Sequence, residues 1–137
     1  MPADQESGRK PQKPRALIVE DEFVILLSLR VQLEAIGCEV VGTARNADIA
    51  VEQARRLQPD IVIMDIGLPG KDGAEAAREI IADRWTPVII VTAYGDERVD
   101  EAVQAGACVV LTKPIVQEQL ARAIEQARNA RPGPACG

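Results

Sequence analysis

The chain has 137 residues, 47% of them apolar, which is enough for one domain with a hydrophobic core. Acidic residues outnumber basic ones by 21 to 16, and the net charge of −5 argues against direct nucleic-acid binding, because phosphate contacts need clustered Lys and Arg. With no histidine, the chain cannot use a histidine-based triad or donate a phosphoryl group from its own phosphohistidine. Lacking any long apolar segment or signal peptide, it is predicted to be cytoplasmic and free of membrane contact.

The apolar pattern predicts five strands that alternate with five helices. Most of the strands are short β-branched runs, typical of parallel strands buried on both faces, and the helices carry apolar residues at helical spacing. Alternation with right-handed crossovers favours an α/β fold, a doubly wound parallel sheet with helices on both faces. The predicted elements in chain order are strand 15–20, helix 22–36, strand 39–43, helix 47–57, strand 60–64, helix 72–81, strand 88–91, helix 96–105, strand 108–111 and helix 116–128.

The two ends of the chain differ in composition from this domain. Residues 1–14 are polar with three prolines, which predicts a disordered N-terminal arm. The domain is predicted over 15–129. Residues 130–137 are predicted to form a flexible tail, which is either a natural end or the start of a linker.

Charged and hydroxyl side chains follow four of the predicted strands. Glu20 and Asp21 follow the apolar run of the first strand, Asp65 that of the third, Thr92 that of the fourth and Lys113 that of the fifth. Because ligands of such sheets bind beyond the carboxyl ends of the strands, we expect these groups to meet in a shallow cleft, without burial in the core. Converging carboxylates favour a hard cation such as Mg²⁺, and the lone carboxylate could act both as metal ligand and as nucleophile.

The same residues carry a resemblance to a known family. Acidic, proline-glycine, threonine and lysine motifs stand in the order and spacing of the receiver domain of bacterial two-component response regulators, over about 15–128. That resemblance implies a flavodoxin-like strand order 2-1-3-4-5. The motifs are Val19-Glu20-Asp21-Glu22, the run from Pro59 to Asp65, the run from Leu68 to Gly73, Val91-Thr92-Ala93, and Lys113-Pro114.

For the metal site, the resemblance implies a role for each of four residues. Asp65 matches the phosphoacceptor and a ligand of Mg²⁺, and Asp21 matches the carboxylate that ligates the metal directly. Glu20 matches the acidic position that holds the metal through water, where many members have Asp. Gly67 matches the residue whose backbone carbonyl completes the site.

For the switch, the resemblance implies that Thr92 moves to the phosphoryl group and that Lys113 pairs with it. The peptide before Pro114 is expected to be cis. Val110 stands where the family usually has an aromatic reporter, and Tyr94 is our candidate replacement, as in a subset of receivers with Tyr just after a Thr-Ala or Thr-Gly pair. The alternative is that Tyr94 is an ordinary loop aromatic.

The resemblance implies a phosphoacceptor signalling domain rather than an enzyme, apart from catalysis of its own phosphorylation and dephosphorylation. The partners it implies are a sensor histidine kinase or histidine phosphotransfer protein, which phosphorylates Asp65, and a downstream protein target. Residues 96–128 are the expected output surface and the candidate surface of a homodimer.

Two other functions stay open at this point. The first is a Mg²⁺-dependent phosphohydrolase with an aspartyl nucleophile, although Ile66-Gly67 follow Asp65 where a second Asp would be needed two residues on, and no cap segment is inserted. The second is a receiver fragment of a longer transcription or antitermination regulator.

Overall fold

A computed structural model of the protein describes residues 13–69, 72–93 and 95–131. Five strands and five helices alternate along these residues, as the sequence predicts. They are β1 (Arg15–Val19), α1 (Phe23–Ile36), β2 (Glu39–Ala44), α2 (Ala47–Leu57), β3 (Ile61–Asp65), α3 (Gly73–Asp83), β4 (Val88–Thr92), α4 (Val99–Gln104), β5 (Val109–Thr112) and α5 (Gln117–Arg128).

The strands form one parallel sheet in the order β2-β1-β3-β4-β5. This confirms the doubly wound, flavodoxin-like sheet. The central strand β3 pairs with β1 on one side and with β4 on the other, and its last residue, Asp65, lies opposite Val91. The order therefore brings the carboxyl ends of β1, β3, β4 and β5 next to one another.

Two hydrophobic cores lie on opposite faces of the sheet. Successive strand residues point to opposite faces, so Ile18 and Ile63 pack in the core with α1 and α5. Leu17 and Met64, their neighbours in sequence, pack in the core with α2 and α3. Because β1, β3 and β4 are buried on both faces, their residues are almost all β-branched or otherwise aliphatic.

Local sequence signals set the ends of the helices. Asn46 caps α2 by accepting the Ile49 backbone N–H at 2.8 Å. Asp72 caps α3 by accepting the Glu75 N–H at 2.8 Å, as expected of the predicted capping box. Helix α1 ends at Gly37, whose φ of 104° is the left-handed conformation that glycine adopts at helix ends.

Helix α3 begins unusually close to the end of β3. A side-chain carbon at Gly73 would lie 2.7 Å from the Asp65 carbonyl oxygen and 2.8 Å from the Ile66 Cα, so only glycine fits there. The first residue of α3 therefore lies directly against the end of β3.

Most predicted boundaries lie within two residues of the observed ones, and only the start of α4 differs by more. Strand β3 runs one residue later than 60–64, because the Asp60 carboxylate accepts the Arg15 backbone N–H at 2.8 Å before the strand begins. Helix α4 is shorter than 96–105, because the Asp96 carboxylate accepts the Arg98 backbone N–H at 2.9 Å and holds residues 96–98 in a turn. The other ends match the prediction or shift by one or two residues.

The predicted N-terminal arm and C-terminal tail lie largely outside the described residues. At the inner boundary of the arm, the Pro14 carbonyl accepts the Glu39 N–H at 2.8 Å and so contributes to the edge of the sheet.

Candidate functional site

Three carboxylates meet at the carboxyl ends of β1 and β3. One oxygen from each of Glu20, Asp21 and Asp65 lies within 4.8 Å of the other two. Asp21 is half-buried, and its carbonyl accepts a 3.1 Å hydrogen bond from the Arg45 side chain. Three mutually repelling carboxylates at this spacing form a donor set suited to a hard divalent cation.

Glu20 is fully buried, which corrects the expectation of a shallow cleft without buried charges. The Glu20 backbone N–H still bonds to the Ala44 carbonyl at 3.0 Å, so the extended chain continues past β1 and keeps this side chain inside the fold. Asp65 is also buried, with 6% of the residue exposed.

One oxygen of Glu20 lacks a hydrogen bond. Oε2 accepts the Glu22 backbone N–H at 3.1 Å, whereas Oε1 accepts no hydrogen bond from the residues that the structure describes. Burial, together with the neighbouring charge of Asp65, raises the pKa of Glu20 to about 7, although the Glu22 N–H and Lys113 act against it. A buried carboxylate oxygen with a free lone pair fits the metal site that the three carboxylates suggest.

Lys113 lies between the buried carboxylates. Its Nζ is 3.4 Å from Glu20 Oε1 and 3.4 Å from Asp65 Oδ2. The distance to Glu20 is that of an ion pair without hydrogen-bond geometry, which is why Oε1 still lacks a hydrogen bond. Burial lowers the pKa of Lys113, but the charges of Asp65 and Glu20 outweigh that effect and raise it overall. The peptide between Lys113 and Pro114 is cis, as the resemblance implied.

The two oxygens of Asp65 face different surroundings. Oδ2 faces Lys113, whereas Oδ1 accepts the Gly67 backbone N–H at 2.9 Å. The structure thus gathers Glu20, Asp21, Asp65 and Lys113 at one place.

Thr92 ends β4 on the same rim and is 3% exposed. Its hydroxyl donates to the Ala93 carbonyl at 3.0 Å, rather than to Asp65. The Thr92 carbonyl accepts the Lys113 backbone N–H at 2.8 Å, which ties the ends of β4 and β5 together. Tyr94, the candidate switch aromatic, lies outside the described residues.

Arg98 is a further residue near the site, and it was not predicted from the sequence. Its side chain reaches back from the start of α4 towards Gly67 and is bonded to Asp96. No motif marks it, because its position depends on the path of the loop after β4.

In the described part of the chain, every helix is too short or too polar to cross a bilayer.

Residues 16–125 match the model of the response regulator receiver domain. Among curated proteins, the chain is 42% identical over 114 residues to the transcriptional regulatory protein PdtaR of Mycobacterium tuberculosis, covering 82% of this chain and 56% of that protein. It is 34% identical over 129 residues to a protein-glutamate methylesterase/protein-glutamine glutaminase of Halobacterium salinarum, covering 85% of this chain and 37% of that protein. The chain therefore spans about half the length, or less, of these relatives.

The fold is also found among solved structures. The crystal structure of the signal receiver domain of a modulated diguanylate cyclase from Desulfovibrio desulfuricans G20 has a TM-score of 0.81 and 37% sequence identity, covering 85% of this chain and 94% of that chain. Sequence, fold and site lead to the same assignment: this chain belongs to the response regulator receiver domain family.

Proposed function

We propose that Asp65 accepts a phosphoryl group from a phosphohistidine of a sensor histidine kinase or histidine phosphotransfer protein, in a Mg²⁺-dependent reaction. The observation that carries this is the buried Asp65 carboxylate at the end of the central strand, clustered with Glu20 and Asp21 and 3.4 Å from the Lys113 ammonium. An Asp65 oxygen forms the new bond to phosphorus while the phosphorus–nitrogen bond of the donor breaks. The imidazole nitrogen leaves with the electrons of that bond.

Mg²⁺ fits the acidic cluster. Asp21 and Asp65 would ligate it directly, Glu20 through a water molecule, and the Gly67 carbonyl would complete the set. When bound, the metal neutralises charge on the phosphoryl oxygens. The unbonded Glu20 Oε1 supports this assignment, since a metal-bound water could donate to it.

Lys113 and Thr92 then act on the phosphoryl group. Lys113 already lies against Asp65 Oδ2 and can pair with a phosphoryl oxygen without a large movement. The Thr92 hydroxyl would have to leave the Ala93 carbonyl, and that exchange is the switch. We place the response at Tyr94 and at the output surface 96–128, which would bind a downstream protein or a second copy of the chain.

The phosphodonor would dock on α1. Phe23, Val24, Leu27 and Val31 are exposed apolar residues of this helix, and Val24 also lines an apolar groove with Pro114 and Ile115 beside Lys113. A partner that carries the donor histidine would have to lie this close to reach Asp65. Val24→Ser should slow phosphoryl transfer from a phosphorylated kinase but not from a small donor, whereas Ile49→Ser, at an exposed position of α2, should change neither rate.

The phosphoacceptor is tested with small donors and Mg²⁺. Phosphoramidate has a phosphorus–nitrogen bond like that of phosphohistidine, and acetyl phosphate is a second donor. Intact mass measurement should show one added phosphoryl group on the wild type and none on Asp65→Asn. Asp60→Asn is the matched control, because Asp60 precedes the same strand at its other end. Phosphorylation of Asp65→Asn, or an unmodified wild type, would refute the assignment.

A further inference from the structure

Arg98 lies against Gly67, beside the proposed phosphoacceptor. A side-chain carbon built on Gly67 would lie 3.5 Å from Asp65 Oδ1 and 3.6 Å from Arg98 Nη2. Both distances are ordinary van der Waals contacts. Because glycine has no side chain, the described residues leave a gap between the carboxylate and the guanidinium that is wide enough for a carbon atom. The gap lies next to Asp65 Oδ1, whereas Oδ2 faces Lys113.

Asp96 holds Arg98 in its present position. Arg98 Nε donates to Asp96 Oδ1 at 3.0 Å and Nη2 donates to Oδ2 at 2.7 Å, while the Arg98 backbone N–H donates to Oδ1 at 2.9 Å. The Asp96 side chain is 14% exposed and that of Arg98 is 41% exposed. The pair is therefore partly open to water and can exchange partners.

The electrostatic surroundings of Arg98 are acidic. The hydrogen bond to Asp96 raises the pKa of Arg98 most, and the charges of Asp96, Asp72 and Asp65 add to it, against a smaller opposing effect of burial. The guanidinium thus already feels the carboxylate of Asp65. A phosphoryl group there would add close to two negative charges and three acceptor oxygens.

We propose that Arg98 is a second cationic residue, besides Lys113, that binds the phosphoryl group, and that Asp96 holds it until Asp65 is phosphorylated. Arg98 then donates across the open space at Gly67 to phosphoryl oxygens on the Oδ1 side of Asp65. This inference rests on the proposed function and adds a competition between Asp96 and the phosphoryl group for one guanidinium.

The different chemistry of Lys113 and Arg98 suits them to bind different oxygens of the phosphoryl group. Lys113 is a compact point charge already shared among carboxylates, whereas a guanidinium offers a fork of N–H donors that matches two oxygens at once. Arg98 also immediately precedes α4, so its transfer from Asp96 would pull on the first turn of that helix. The phosphoryl group would thereby act directly on the output surface.

Beryllofluoride at saturating Mg²⁺ tests the competition, because it mimics a phosphoryl group on Asp65. Arg98→Ala should weaken beryllofluoride binding by about tenfold, and Arg98→Lys should recover part of the loss. Asp96→Asn should strengthen binding by about threefold, since the amide keeps an oxygen for the Arg98 backbone N–H but competes less for the guanidinium. In the Arg98→Ala background, Asp96→Asn should have no effect. Arg56→Ala, on the exposed side of α2, should match the wild type.

Because Arg98→Ala should weaken beryllofluoride binding and Asp96→Asn should strengthen it, the two variants distinguish phosphoryl binding from a purely structural role. If the Asp96–Arg98 pair only shapes the loop, both single substitutions weaken binding, and that result overturns the inference. An Arg98→Ala protein that binds like the wild type also overturns it. If the wild type neither binds beryllofluoride nor takes a phosphoryl group from phosphoramidate, the proposed function fails as well, so the two failures are distinguishable.

Discussion

The two ends of the sheet differ in how fully their polar groups are hydrogen-bonded. At the amino end, the Asp60 carboxylate accepts the Arg15 backbone N–H, and the Asp60 N–H donates to the Arg15 carbonyl, both at 2.8 Å. The Arg84 guanidinium donates to the Pro59 carbonyl at 3.0 Å nearby. At the carboxyl end, Glu20 and Asp65 are buried next to each other, and one Glu20 oxygen accepts no hydrogen bond within the described part of the chain. The amino end is built for stability, whereas the carboxyl end keeps an electrostatic cost that a cation and a phosphoryl group would relieve.

The largest expected effect is on metal binding at the carboxyl end. Asp21→Ala should weaken Mg²⁺ binding by about 100-fold, or about 2.7 kcal/mol, because a direct ligand is lost. Glu20→Gln should weaken it less, by about tenfold, since its contact would pass through water. Isothermal titration calorimetry measures both, with Asp60→Asn expected to bind like the wild type. Equal Mg²⁺ affinity in all these proteins would remove the contrast between the two ends.

Glu20→Gln should also stabilise the protein when Mg²⁺ is absent. The pKa of Glu20 rises from its ordinary 4.5 to about 7 on folding, so the wild type loses stability as the pH rises through that interval. The amide avoids this loss and should raise the free energy of unfolding by about 2 kcal/mol at pH 7, with no gain at pH 4. Urea denaturation at both pH values measures the difference. A destabilised variant at pH 7 would show that the carboxylate is well accommodated.

The amino end should respond in the opposite direction. Asp60→Ala removes the acceptor of the Arg15 N–H and should lower the free energy of unfolding by about 1 kcal/mol, at neutral pH and without Mg²⁺. The same denaturation experiment measures it. If this substitution instead stabilised the fold, the two ends would not differ in the way that their hydrogen bonds suggest.

The smallest expected effect is spectroscopic. If Thr92 moves to the phosphoryl group, beryllofluoride should shift the side-chain NMR signals of Tyr94, and Thr92→Ala should largely suppress that shift. Trp85, which precedes β4 at the amino end, is an internal control whose indole signal should stay in place. A Trp85 shift as large as that of Tyr94 would indicate a change throughout the domain.

Much of the fold and part of the site could be predicted from sequence. Continuous β-branched runs and cap residues such as Asn46 and Asp72 act over a few positions, so the strands, helices and their order follow from local pattern. The position of Asp65 in the site is predictable because a carboxylate that follows a buried parallel strand lies at the carboxyl end of the sheet.

The rest depends on how distant segments pack. The burial of Glu20 follows from its backbone hydrogen bond to Ala44 of β2, a pairing partner that the residues of β1 do not identify by themselves. Arg98 comes near Gly67 only because residues that are far apart in the chain meet at the same end of the sheet. Long-range packing of this kind leaves no periodic or motif signal in the chain.

Successive side chains of β3 point to opposite faces of the sheet, so the two residues before Asp65 lie in different hydrophobic cores. Ile63 packs only in the core with α1 and α5, and Met64 only in the core with α2 and α3, although the two are adjacent in sequence. The methyl NMR signals of these two residues, which are adjacent in sequence, would therefore report on each core separately. Comparing the shifts of the two signals would show whether a charge added at Asp65 perturbs the packing of one layer of helices or of both.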